Sequence, residues 1–338
     1  MHLSYKKIQT IPTSSFSSVM GIGIVSDAFL QLRIFIISEI LEYVGVLVYM
    51  GLVIVFLLRL FSGNGGREKF SSNATSIFGS FAFVAGTAVL STRVSESGYI
   101  FLDLPAIIVT IIFTSALAFL LLRPRDGWVF RQIQKPYLFL VPFIAMLGVS
   151  VLSSQTYSKL GTGYPYLYSV SLASWLIGFS GTILFIVYTL IEFKDRFLNP
   201  EDIDGFYFIY SGITSLVAFS TVVLLTFYHI DGSSVVVLFR YILTSLYVWA
   251  VGFSALLFYL FFLKFKRGHL QFMRSVSLWG VVFPMGVNAM GSYFISTYLR
   301  IHFLLWFSYF YASLGLVLIL IYFVEIVVEI FIVNFHKI

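Results

Sequence analysis

Apolar residues run along this chain in blocks of about twenty, broken by short polar connectors, and the pattern predicts ten membrane-crossing helices. The blocks cover about 14–32, 36–60, 74–92, 100–122, 137–155, 166–192, 205–228, 235–263, 275–297 and 303–333. Connectors such as Ser62–Ser72 (SGNGGREKFSS), Arg123–Trp128 (RPRDGW), Lys194–Gly205 (KDRFLNPEDIDG) and Lys264–His269 (KFKRGH) are too short for a soluble domain. The reading is therefore one membrane domain over 1–338. A barrel would show alternating strands of roughly ten residues, whereas runs such as Val46–Leu58 (VLVYMGLVIVFLL) are long and unbroken.

Composition agrees. Apolar residues make up 59% of the 338 and charged residues 11%, against about 25% charged in ordinary globular chains. The mean hydropathy is +0.96. Helices are the spanning element that satisfies its own backbone in lipid. The basic amino terminus is followed by no small-residue cleavage site, so no cleaved signal peptide is expected.

Charge then orients the spans. With ten crossings, 16 of the 21 basic residues share the side of both termini. The other five fall one to each opposite loop: Arg33, Arg93, Lys159, Arg240 and Arg300. This asymmetry predicts cytoplasmic termini and a plasma-membrane protein. The net charge of +6 is thereby spent on orientation, and nucleic acid is not an expected partner.

The order of the spans hints at five repeated hairpins. Phe16–Gly21 (FSSVMG), Phe81–Gly86 (FAFVAG) and Phe143–Gly148 (FIAMLG) each pair a Phe with a Gly five residues on, always in an odd span. Gly, Ala, Ser and Thr are denser in odd spans than in even ones. Small residues let helices approach closely, and around an axis they leave a lumen. Two readings follow: odd helices lining a pore, or small residues cementing an ordinary bundle.

Catalytic chemistry finds no footing. Cysteine is absent, and there is no HExxH, GxSxG, phosphate loop or dinucleotide fingerprint. His2, His229, His269, His302 and His336 lie at span ends or termini without metal-ligand spacing. No enzyme activity, cofactor or metal is expected. Acidic residues near spans are Asp27, Glu39, Glu42, Glu325 and Glu329. Intramembrane carboxylates can couple protons or ions, and Asp27 is the candidate coupling acid. The alternative is an interfacial ion-pair network in which Asp27 and Glu39 bracket Arg33.

Within the ninth block, the stretch Ser277–Phe294 (SLWGVVFPMGVNAMGSYF) has Pro284 near its middle and glycines around it. Proline donates no backbone hydrogen bond and crowds the carbonyl four residues earlier, which predicts a kink. Trp279, the aromatic–proline pair Phe283-Pro284 and the small residues after it resemble the ninth-helix signature of the tellurite-resistance/dicarboxylate transporter family. That family includes plant guard-cell slow anion channels, malate permeases, sulfite exporters and a bacterial tellurite-resistance protein. Ile11–Gly23 (IPTSSFSSVMGIG) is similar to the family's opening. The resemblance implies an all-α fold of five helical hairpins about a pseudo-fivefold axis, odd helices lining a pore, and homotrimers with one pore per protomer. It also implies that Phe283 plugs the pore as a gate, with the neighbouring glycines leaving room for its ring to swing. The alternative for Phe283 is a packing aromatic.

Lining positions expected from the odd spans are Ser18, Gly21, Gly86, Thr87, Gly148, Ser150, Ser215, Phe219 and Asn288. The leading function is an anion channel or uniporter for small inorganic or carboxylate anions such as chloride, nitrate, malate, other dicarboxylates or sulfite. The alternatives are a proton-coupled dicarboxylate carrier, an oxyanion exporter for sulfite or tellurite-type anions, or a non-transporting scaffold, which the short loops disfavour. Asp27 fits anion flow only if Arg33 or Arg93 neutralises it. The short flanking tails give no support to kinase gating of the kind found in the plant channels.

Overall fold

The computed structural model describes residues 13–61, 74–122, 136–161, 163–192, 205–228, 234–266 and 279–335. Among them there are ten long helices and no strand. In chain order these are α1 (Ser17–Gln31), α2 (Phe35–Phe61), α3 (Ala74–Glu96), α4 (Asp103–Leu122), α5 (Val141–Leu160), α6 (Pro165–Glu192), α7 (Ile209–Phe227), α8 (Ser234–Lys266), α9 (Trp279–Leu299) and α10 (Leu304–Phe335). Tight 3-10 turns lead into α1 (Thr13–Phe16), α5 (Pro136–Leu140) and α7 (Gly205–Phe208). Helices α3 and α5 run on to Glu96 and Leu160, past the apolar blocks ending near 92 and 155, because polar residues there find partners inside the protein.

The odd helices form a closed ring. Each packs on the next, α1 on α3, α3 on α5, α5 on α7 and α7 on α9, and α9 returns to α1. Each even helix packs outside the odd helix that precedes it and also touches the following one. Burial follows the same division. The most apolar stretches of α3, α5 and α7 are 83%, 89% and 100% buried, while those of the even helices range from 22% to 35%. The even helices turn residues such as Leu47, Phe119, Leu184, Tyr241 and Trp306 outward, a surface suited to lipid rather than water.

The repeat extends to the turns. Odd helices end in a left-handed residue at Arg33 (φ 62°), Gly98 (φ 98°), Gly161 (φ 81°) and Arg300 (φ 58°). In three of these turns the following N–H reaches back five residues: Ile34 to the Phe29 carbonyl (2.8 Å), Tyr99 to Val94 (3.4 Å) and Ile301 to Ser296 (2.9 Å). These bonds satisfy the last carbonyls of each helix. Glycine adopts this conformation freely, whereas arginine holds it at a cost of about 1 kcal/mol.

Candidate functional site: the axis of the helix ring

The repeat glycines sit in the seams that close the ring. A Cβ at Gly21 would come within 2.9 Å of Val282 on α9, one at Gly86 within 3.2 Å of the Phe16 carbonyl leading into α1, and one at Gly148 within 3.3 Å of Ala88 on α3. Each glycine thus faces the preceding helix of the ring. Among the other positions expected to line the lumen, Ser215 donates to the Val287 carbonyl (3.3 Å) and Phe219 meets the Phe294 ring at 5.0 Å, both across the α7–α9 seam.

Three hydroxyl or amide positions point to the outer layer instead. Thr87 is bonded to Tyr49 of α2 at 3.0 Å and Ser150 to Ser171 of α6 at 3.3 Å. Asn288 donates to Ser211 of α7 (3.1 Å) and Ser254 of α8 (2.9 Å). Ser18 folds back on the Ser15 carbonyl at 2.7 Å. These contacts tie Thr87, Ser150 and Asn288 to the outer helices, while Gly21, Gly86, Gly148 and Ser215 sit in the seams between ring helices. The physical reason is that small side chains in a tight ring are consumed by helix approach, and hydroxyls in lipid need partners on the neighbouring helix.

Helix α9 shows which residues are left for the axis. It runs unbroken through Pro284, and Pro284 rests on Gly212 of α7, where a Cβ would lie 2.9 Å from the ring's own Cβ. A Cβ at Gly280 would lie 2.7 Å from the Phe206 Cα, just before α7, and one at Gly286 would overlap Ile24 of α1. Ser292 faces the other way, hydrogen-bonded to Tyr247 of α8 at 2.6 Å. Phe283 lies three residues from Gly280 and three from Gly286, about 60° from each around a helix of 3.6 residues per turn. It therefore bisects the arc between α7 and α1, the arc that faces the ring axis. Phe283 is 3% exposed. The glycines beside it are filled by Phe206, Ile24, Val25 and Ser215, so they bring helices together rather than leave room for a swinging ring.

Asp27 faces the same axis from α1. Four residues earlier, Gly23 abuts Val89 of α3, and three residues earlier, Ile24 abuts Gly286 of α9. Asp27 lies between these two directions, 2% exposed, and its Oδ1 has no hydrogen-bond partner among the described residues.

The arginine expected to neutralise it is committed elsewhere. Arg93, 1% exposed, pairs with Glu42 of α2 at 2.9 Å and donates from Nε to Ser26 (2.9 Å) and Ser38 (3.1 Å). Its Nη1 donates to Ser97, which in turn donates to Glu42. Ser26 and Ser38 each donate to the other's carbonyl, at 2.7 and 2.8 Å. Beside this knot, Lys159 pairs with Glu96 at 3.3 Å and donates to Ser95 at 2.9 Å, and Ser95 donates to Asp103 at 2.7 Å. The ion-pair network thus forms around Glu42 and Arg93, not around Arg33, Asp27 and Glu39; Arg33 and Glu39 are exposed. Arg240 lies over the Tyr298 ring at 5.3 Å, and Arg300 is exposed in its turn.

The histidines other than His302 lie outside the described residues, as do the side chain of Glu329 and most of the basic residues assigned to the termini side. Among the described residues no cluster of His, Asp and Glu could hold a metal ion.

Ten helices in two concentric rings, eight of them long and apolar enough to cross a membrane, agree with the resemblance carried by the ninth block. A comparison with curated proteins finds no match. A family model described as the SLAC1 voltage-dependent anion channel matches residues 10–327, and the chain belongs to this family of anion channels and transporters, which includes the tellurite-resistance proteins.

Proposed function

We propose that the chain is an anion channel or uniporter of the plasma membrane, passing small inorganic or carboxylate anions along the axis of the odd-helix ring. Phe283 is the gate and Pro284 the kink that fixes its direction. The observation that carries this reading is the position of Phe283 on the inward arc of α9, bracketed by the glycine contacts to α7 and α1. Its ring makes no ring-to-ring contact among the described residues, unlike Phe83, which stacks on Tyr49 and Phe56 and meets Phe16 edge-on and Phe113 at a tilt. An apolar plug on a narrow axis blocks ions by excluding their hydration water, and removing it opens a path. Conduction through such a path needs weak contacts rather than fixed charges. Both termini face the cytoplasm, the turns bearing Arg33 and Arg300 face outside, and the working form is a homotrimer with one path per protomer.

The test is electrical. Purified wild-type protein and Phe283→Ala are compared in planar bilayers under chloride, nitrate and malate gradients. Wild type is expected to be nearly silent, and the variant to carry a much larger anion-selective current. Silence in both under all three gradients, at acid as well as neutral pH, would overturn the reading.

A further inference from the structure

The axis carries a second feature besides the aromatic plug. Gly286 of α9 lies level with Ile24 of α1, Phe283 is three residues below that level and Asp27 three residues above it. At 1.5 Å per residue, Asp27 is roughly 9 Å from Phe283 along the axis, on the side of the hairpin turns. Anything crossing the ring from that side meets Asp27 before Phe283.

The charges around Asp27 do not balance it. Among the described residues, Arg93 and Glu96 of α3, Glu42 of α2 and Lys159 of α5 are the charged groups that act on it. Arg93 is bound to Glu42 and Lys159 to Glu96, so both cations are already matched. Helix α9 and residues 304–324 of α10 contribute no charged side chain. An ionised, unmatched carboxylate on a narrow axis repels an anion strongly, because the low-dielectric walls do not screen it. A protonated one is neutral and gains a donor. The same side chain is thus compatible with anion passage in one protonation state and opposed to it in the other.

We propose that Asp27 is a proton-binding site in series with the Phe283 gate, and that anions pass when it is protonated and are held back when it is ionised. This rests on the anion-pathway reading above. Acid on the hairpin-turn side activates the pathway, and the linkage makes proton and anion occupancy mutually favourable.

The test uses the full-length chain in planar bilayers, with Phe283→Ala as the background so that the plug does not mask the result. Lowering the pH on the hairpin-turn side from about 8 to about 5 is expected to raise the chloride current roughly tenfold or more. In Phe283→Ala/Asp27→Asn the current should be high and flat across the same range. Asp27→Glu, which keeps the carboxyl but moves it along the axis, should keep a pH response with a displaced midpoint; it serves as the reporter if the Asn variant is not recovered folded, and an unmoved midpoint overturns the proposal. A Phe283→Ala current that does not change with pH overturns the proposal, as does a pH response that survives Asp27→Asn. Absence of any anion current from Phe283→Ala at every pH instead overturns the anion-pathway reading on which it rests.

Discussion

Arg93 shows how far a single residue can stand from its sequence reading. As the one basic residue of its loop it was a candidate to neutralise Asp27; in the fold it is buried and matched by Glu42. Its hydroxyl partners Ser26 and Ser38 lie 67 and 55 positions away, so no local pattern could reveal them. A buried ion pair is costly to break on one side, because the remaining charge stays in a low dielectric. Glu42→Gln should therefore lower stability by about 3–5 kcal/mol, read as a fall in the melting temperature of detergent-solubilised protein. The double variant Arg93→Met/Glu42→Met should recover much of that loss. A Glu42→Gln protein that melts with wild type would remove the knot from any account of stability. Phe283 stands at the other extreme: its neighbour Pro284 marked it in the sequence, while its direction needed the contacts of Gly280 and Gly286.

At the scale of the helix, the density of small residues in odd spans was legible and its meaning was not. Lining a lumen and closing a ring ask for the same residues, and only the neighbours of each Cβ position separate them. Gly286 and Gly252 make the contrast measurable. A methyl at Gly286 would overlap Ile24, whereas nothing lies within 4 Å of a Cβ at Gly252. Gly286→Ala should destabilise by about 1–3 kcal/mol; Gly252→Ala, in the exterior helix α8, should be neutral or stabilise by about 0.5–1 kcal/mol. Thermal melting of the two variants side by side checks both signs. The turns yield a further expectation. Arg33 and Arg300 hold a left-handed backbone that Gly98 and Gly161 hold in the next two hairpins, so Arg33→Gly should raise stability by about 1 kcal/mol. An unchanged or lower melting temperature would show that the arginine side chain contributes as much as the strain removes.

For the whole molecule, counting spans and sorting basic residues led to ten helices, and the five-hairpin ring followed from resemblance and repetition rather than from hydropathy. Hydropathy marked α1 as the block at 14–32 but not its surroundings: the helix is only 15 residues long and buried almost throughout, so its apolar side chains meet protein rather than lipid. Orientation is open to direct measurement, since the chain has no cysteine. Single replacements Tyr99→Cys and Tyr166→Cys, at exposed positions on the hairpin-turn side, should react with a membrane-impermeant maleimide applied to intact cells. Labelling only after permeabilisation would invert the proposed topology. The closure of α9 onto α1 also has a consequence for biosynthesis. The first inner helix to leave the ribosome lacks one of its two ring neighbours until the ninth is made, so its glycine face and Asp27 must wait, unsheltered, while more than two hundred residues are synthesised (17–31 against 279–299). A nascent chain stalled before the last hairpin therefore presents a carboxylate and a bare helix groove to the bilayer, the kind of surface that insertion chaperones shield and membrane quality-control proteases recognise.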